Sequence, residues 1–239
     1  MKKQRIDKFI SNQLLISRSE ARVGIRRGQA TVNGDVIRDA SRLVEPQTDN
    51  VTYNGQTVGY KEYVYILINK PQGVLSASTD KSRETVVDLV PEHLKRRELS
   101  PVGRLDKDTT GLLIITDDGA FAHDIISPKK NISKSYIAGL DGDVTDEMVA
   151  LFKDGVVLAD GTKCKPAVLQ SLSQNTARIT ITEGKYHQIK RMFGTVGLGV
   201  NTLHREAIGG LTLPNNLHNG DCIEMTKQQL IDSILHKNA

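Results

Sequence analysis

The chain has no tryptophan, four phenylalanines and six tyrosines, so aromatic residues make up only 4% of it. A core built from it must be mostly aliphatic. It has two cysteines, Cys164 and Cys222. They are too few and too far apart for a disulfide framework or a metal-binding spacing, and they fit a reducing cytoplasm. No apolar run approaches the roughly 18 residues that a membrane span needs, and the first residues, MKKQRIDKFISNQLL, show no apolar region of a secretory signal. There is no glycine-rich dinucleotide fingerprint and no phosphate-binding P-loop, nor any cluster of Cys and His at zinc spacing. Redox chemistry on a bound nucleotide, NTP hydrolysis and zinc catalysis therefore have no motif to rest on, and no cofactor and no metal are expected.

What is present is unevenly placed. The net charge of the 239 residues is +4, yet residues 1–45 hold ten Lys/Arg against five Asp/Glu, so the remainder sums to about −1. A basic first module on a near-neutral body suits an anionic polymer held by one part and worked on by the other. Ile6, Phe9, Ile10 and Leu14 recur at helical spacing over residues 5–13. Ser17 and Glu20 form a capping box for a second helix that stops at Gly28. Arg18, Arg22 and Arg26 lie on one face of that helix, where mutual repulsion calls for a phosphate-bearing partner; Arg5, Lys8 and Arg27 extend the patch. Asn33-Gly34 between Ala30-Thr31-Val32 and Val36-Ile37 is a strong hairpin signal.

The stretch the chain is organised around is GRLDKDTTGLLIITDDG, residues 103–119. Its apolar run, 112–115, is short, branched and bounded by Gly111 and Asp117, so it reads as a buried strand. Asp118 is placed to cap a helix through Ala120, Phe121, Ile125 and Ile126. Asp106 thus sits in a loop held by a core strand, a place where function is often found. Residues 63–69 and 134–140 read as further strands. Residues 85–94 look helical but for Pro91, and 145–152 form a helix with Met148, Leu151 and Phe152 inward. A last helix spans 226–235. Several strands follow one another without a crossover helix, which favours an α+β fold on a mixed, largely antiparallel sheet.

Residues 103–119 closely resemble the signature of bacterial pseudouridine synthases of the RsuA-like group. The pieces NKPQG, KSY, KPAV, EGKYHQIKRMF and LHREAIGGL extend the resemblance over nearly the whole chain. Residues 3–48, with RIDKFI, SRSEA and GQATVNGDVI, resemble the S4 RNA-binding module. The resemblance implies a division into residues 1–58 for RNA binding, with a linker, and 59–239 for catalysis. It also implies isomerisation of a uridine in 16S ribosomal RNA or a small-subunit assembly intermediate, by a cytoplasmic monomer. Asp106 is implied as the nucleophile, or as the group that stabilises charge at C1′. Tyr136 is implied as the aromatic that stacks on the target base, and Lys190 as the cation that pairs with Asp106. Arg191 stands ready to share that task, Ile189 lines the uracil and Arg104 contacts RNA. Two other classes remain open on the residues alone: an RNA-binding protein using the S4 module without catalysis, and an N-glycosidase, for which Asp108 would have to supply a second carboxylate. Within the family a large-subunit (23S) substrate is the alternative, disfavoured because those relatives tend to carry two arginines where Lys190 and Arg191 stand.

Overall fold

The computed structural model describes residues 3–235 and divides into two compact units. The first comprises residues 3–64 together with 92–98; the second comprises 65–91 and 99–235. The chain therefore leaves the second unit briefly to complete the first, which the sequence did not announce.

In the first unit a short strand β1 (Gln4–Arg5) runs into α1 (Ile6–Leu14), followed by α2 (Arg18–Arg26). Strands β2 (Ala30–Val32), β3 (Asp35–Ile37), β4 (Leu43–Val44), β5 (Val51–Tyr53) and β6 (Gln56–Thr57) complete it. The order of the small sheet is β3-β2-β5-β6, and β1 pairs with β4. Ser17 caps α2 by accepting from Glu20 N at 3.0 Å, and Gly28 ends it at φ +81°. Asn33 and Gly34, at φ +53° and +93°, make the expected hairpin turn. Ile6, Phe9 and Ile10 pack with Ala21, Ile25, Val32, Val44 and Val51 in one cluster. Each such side chain contributes about 1.5–3 kcal/mol by leaving water. Leu14, expected on the same face, is 40% exposed, because α1 ends there and Leu15 turns left-handed at φ +59°.

Residues 85–94 form turns and a single 3-10 turn, Glu92–Leu94, rather than a helix. Pro91 excludes the continuous hydrogen-bond ladder, and Thr85 instead binds Asp88 through both its N–H and its hydroxyl at 2.8 Å. Arg96 donates to Gln13 Oε1 at 2.9 Å and to Asn12 O at 3.2 Å. Arg97 donates to Ile16 O. These two arginines are ties within the first unit.

The second unit contains β7 (Tyr65–Lys70), β8 (Ser100–Pro101), β9 (Thr110–Thr116), α3 (Gly119–Ile126), β10 (Lys134–Leu140), α4 (Asp146–Asp154), β11 (Val168–Ser173) and β12 (Thr176–Ile181). Then come α5 (Gln188–Gly194), β13 (Val200–Ile208), β14 (Leu211–Thr212), β15 (Cys222–Met225) and α6 (Lys227–Leu235). The main sheet has the order β11-β12-β10-β13-β9-β7-β15, with β14 on β13 and β8 on β9. Only the β13–β9 pairing is parallel; the others are antiparallel. This is the expected α+β architecture.

On one face, Leu67, Leu112 and Ile114 join Phe121, Ile125, Leu230 and Ile234 of α3 and α6 in a single cluster. Asp118 locks that corner. It is 2% exposed and accepts from Phe121 N at 3.0 Å, Tyr65 Oη at 2.7 Å and Lys227 Nζ at 2.8 Å. Burial alone would raise its pKa, but these donors and the Lys227 charge hold it below the usual carboxylate range. In α4, Phe152 is buried as expected, but Leu151 is 44% exposed and Met148 is half-buried; of the three residues read as inward, Phe152 alone reaches the core.

Candidate active site

Asp106 lies in the loop between β8 and β9, and the loop is pinned from several sides. Leu105, on its N-terminal side, donates from N to Ser76 Oγ at 3.0 Å, while Ser76 Oγ donates to Leu105 O at 2.8 Å. Gly73 N donates to Lys107 O at 2.8 Å, and Thr109 N closes a turn onto Asp106 O at 3.1 Å. Beneath the loop is Lys70, fully buried at the end of β7. Its ammonium donates to Thr109 O and Pro71 O, each at 2.9 Å, and to Lys107 O at 3.3 Å. Burial pushes the Lys70 pKa down to about 8, against the pull of the nearby Asp108 and Asp106 carboxylates. A buried cation with three carbonyl partners is a rigid pin for the backbone that carries Asp106.

Strand register brings a second group to the same region. Lys70 pairs with Gly111, Gly111 with Arg205, Arg205 with Tyr136, and Tyr136 with Ile179. Laterally paired residues share a face of a sheet. Lys70, Arg205 and Tyr136 therefore line the face opposite the α3–α6 cluster. Gly111 must be glycine: its φ is +105°, and a Cβ would lie 2.3 Å from Arg205 O. Tyr136 is 8% exposed, with the Arg205 guanidinium 6.0 Å from its ring centroid. Arg205 donates from Nε to Leu112 O at 2.7 Å, and Tyr136 and Arg205 are thereby tied to the strand that begins one residue after Thr109.

The N-terminus of α5 faces the loop. His187 Nε2 is 3.6 Å from Asp106 Oδ1. Lys190 Nζ lies 2.5 Å from Asp108 Oδ2. The expected Lys190–Asp106 pair is thus replaced by Lys190–Asp108. The turn over residues 106–109 directs the two carboxylates differently, so Asp106 meets His187 while Asp108 meets the longer lysine. Ile189 is buried at 5% exposure. Arg191 is engaged by Asp160 and by Tyr186 O, the latter at 3.4 Å, and so is not held against Asp106. Arg104 is exposed.

In the first unit the arginine face has an internal counter-charge. Asp7 is fully buried and is contacted by Arg22 Nε at 2.8 Å, Arg18 Nη2 at 3.0 Å and Arg5 Nη2 at 3.2 Å. Burial alone would raise the Asp7 pKa; the three guanidinium groups outweigh it and hold it far below the carboxylate range. The repulsion read from the i, i+4 arginines is therefore answered inside the protein, with two positive charges left over. Arg26 bonds Arg22 O at 3.3 Å, and Arg5, Arg22, Arg26 and Arg38 line a common cleft. Lys8 and Arg27 are exposed.

From sequence, Lys70, Arg205 and the reach of Asp108 carry no role, and a lone His187 reads as a structural hydrogen-bonder and not a catalyst. A lysine closing a mostly apolar strand, YILINK, was the available signal for Lys70; nothing local marks the other three.

Residues 64–195 match the family model described as RNA pseudouridylate synthase, and residues 4–51 match that of the S4 domain. The chain is 40% identical to ribosomal small subunit pseudouridine synthase A of Escherichia coli over 228 residues, covering 95% of this chain and 98% of the other. It is 39% identical to an RNA pseudouridine synthase of Bacillus subtilis over 230 residues, covering 95% and 96% respectively. A solved structure described as a pseudouridylate synthase superposes with a TM-score of 0.68 at 34% identity, covering 97% of this chain and all of the other. No described helix is long and apolar enough to cross a membrane.

Proposed function

The chain belongs to the RNA pseudouridylate synthase family, and on that premise we propose that it isomerises one uridine of 16S ribosomal RNA to pseudouridine, with Asp106 as the nucleophile. The family activity itself makes it an RNA-modifying isomerase. The choice of small-subunit RNA rests on its similarity to the Escherichia coli small-subunit enzyme along nearly the full length of both chains.

The observation that carries the site reading is the pinned loop. Asp106 keeps its side chain 32% exposed on a backbone fixed by Lys70 and Ser76, with Tyr136 on the same sheet face. A carboxylate aimed by a rigid frame can attack without first being ordered. The N1–C1′ bond breaks, the uracil turns, and C5 joins C1′; C5 gives up its proton and N1 takes one, so no atom or electron is gained. Asp106 assists at the sugar or the base. Tyr136 packs on the uracil and receives the proton. Lys190, held by Asp108, supplies positive charge beside the two acids, Ile189 closes the apolar side of the pocket, and Arg104 and Arg191 contact the RNA. Residues 1–58, the bulk of the first unit, act as the RNA anchor, through Arg5, Lys8, Arg18, Arg22, Arg26 and Arg27, and the rest of the chain, apart from residues 59–64 and 92–98 that complete the first unit, as the catalytic domain.

The test is tritium release from 5-tritiated uridine in 16S and 23S transcripts. The wild type should release tritium from 16S RNA while retaining chain and base. Asp106→Asn, which keeps size and removes charge, should abolish release and spare binding. Activity within about tenfold of wild type would remove Asp106 from the mechanism, and preferential release from 23S RNA would move the substrate to the large subunit.

A further inference from the structure

Beside Asp106 stands an aromatic pair that the chemistry above leaves unused. Tyr186 and His187 precede α5, and their rings stack with centroids 3.9 Å apart and planes 20° from parallel. Tyr186 is 76% exposed, more than any other large apolar side chain among the described residues. One face of its ring lies on His187 and the other is open to solvent.

The pair is held in place by the turn that presents it. Lys185 N donates to Gln188 Oε1 at 2.8 Å, and Gln188 N donates to Lys185 O at 3.2 Å. Arg191 ties the Tyr186 carbonyl from the next turn of α5. His187 adopts a left-handed backbone, φ 47° and ψ 34°, a conformation that L-residues rarely adopt. Ile189, Met192 and Phe193 anchor the helix that follows in the core. The edge of the same imidazole reaches Asp106, so the open Tyr186 ring is one stacked layer from the residue facing the catalytic carboxylate.

The surrounding charges narrow what can dock there. Lys185, Lys190 and Arg191 each already hold a carboxylate: Glu183, Asp108 and Asp160. These three cations are already paired, and what the turn itself adds is a flat π-surface. RNA supplies its complement. Extruding a uridine into a pocket strips its neighbours of a stacking partner, and a base stacked on an aromatic side chain recovers about 1–3 kcal/mol with little regard to sequence.

We propose that Tyr186, backed by His187, is the stacking platform for an unpaired RNA base next to the target uridine. Tyr186 touches the RNA; His187 is a positioning residue that fixes the height and tilt of the platform relative to Asp106. The proposal rests on the reading of the chain as an enzyme acting on 16S RNA.

The experiment uses the full chain and a 16S transcript with 5-tritiated uridine, comparing wild type with Tyr186→Phe, Tyr186→Leu and, as a second variant lacking the ring, Tyr186→Gln. Tyr186→Phe should match wild type. The Leu and Gln variants should raise KM by roughly 5- to 150-fold, the range a lost base stack implies, with kcat changed far less. Ultraviolet cross-linking of the wild-type complex, read by mass spectrometry, should place a nucleotide on Tyr186. A wild type that releases no tritium overturns the substrate reading. An active wild type whose Leu or Gln variant keeps its KM overturns the platform and leaves Tyr186 as the outer cap of α5.

Discussion

Replacing Lys70 by methionine tests the claim that a buried ammonium aims the loop that carries Asp106. The substitution keeps the stem and deletes the charge together with three hydrogen bonds, to Thr109 O, Pro71 O and Lys107 O. Hydrogen bonds from a charged donor contribute about 1.5–3 kcal/mol each, so the set is worth roughly 5–9 kcal/mol. Against this stands the cost of holding the ammonium in the interior. A pKa depressed from 10.5 to about 8 corresponds to about 3 kcal/mol at neutral pH. The net loss at pH 7 is therefore roughly 2–6 kcal/mol, felt mostly in residues 107–109 and hence in the aim of Asp106. Urea melts should show the lower stability, and single-turnover tritium release should fall while RNA affinity stays near wild type. The pH dependence adds a second check. Between about pH 8 and 10.5 the unfolded chain holds the Lys70 proton and the folded chain has lost it, so wild-type stability gains from this group as pH rises and loses that gain as pH falls through 8. Lys70→Met should lack this component. A variant with wild-type stability, rate and pH profile would refute the pin.

Two further predictions follow from the geometry. Gly111→Ala forces a Cβ against Arg205 O at a backbone angle that L-residues avoid; it should cost about 2–4 kcal/mol and slow turnover, and an unchanged melting temperature would show that β9 and β13 can separate there. Asp7→Asn removes the counter-charge of Arg5, Arg18 and Arg22; it should destabilise the fold by about 3–5 kcal/mol and steepen the salt dependence of RNA binding by about one unit of slope. Because the folded pKa of Asp7 is depressed, its contribution is full above the unfolded carboxylate value near 4 and is lost as pH falls. Acid melts in which wild type and variant stay equally far apart well below that pH would contradict the role assigned to Asp7.

Local chemistry was sufficient for much of this protein. The Ser17 and Asp118 caps, the Asn33-Gly34 hairpin, the buried strand at Thr110–Thr116 and the antiparallel character of the sheet were legible because each depends on residues within a few positions of one another. Position in a distinctive string likewise marked Asp106, Tyr136 and Lys190 as candidates. Only the tertiary structure decided which charge meets which. Asp7 is an ordinary acid in sequence; folding α1 against α2 makes it the anion that holds three arginines. Lys190 reads as a partner for Asp106, but a turn two residues wide sends Asp108 to it and leaves Asp106 facing His187. The row Lys70, Gly111, Arg205 and Tyr136 joins residues up to 135 positions apart, and no periodicity within any one segment encodes it. The short strands β1, β4 and β15 were equally hidden, since two to four residues carry too little pattern to announce a strand and are fixed by the partner they pair with. Propensity and capping act through the chain's own neighbours. Ion pairing and burial act through space, and for these residues the pairing of distant strands and helices settled the outcome.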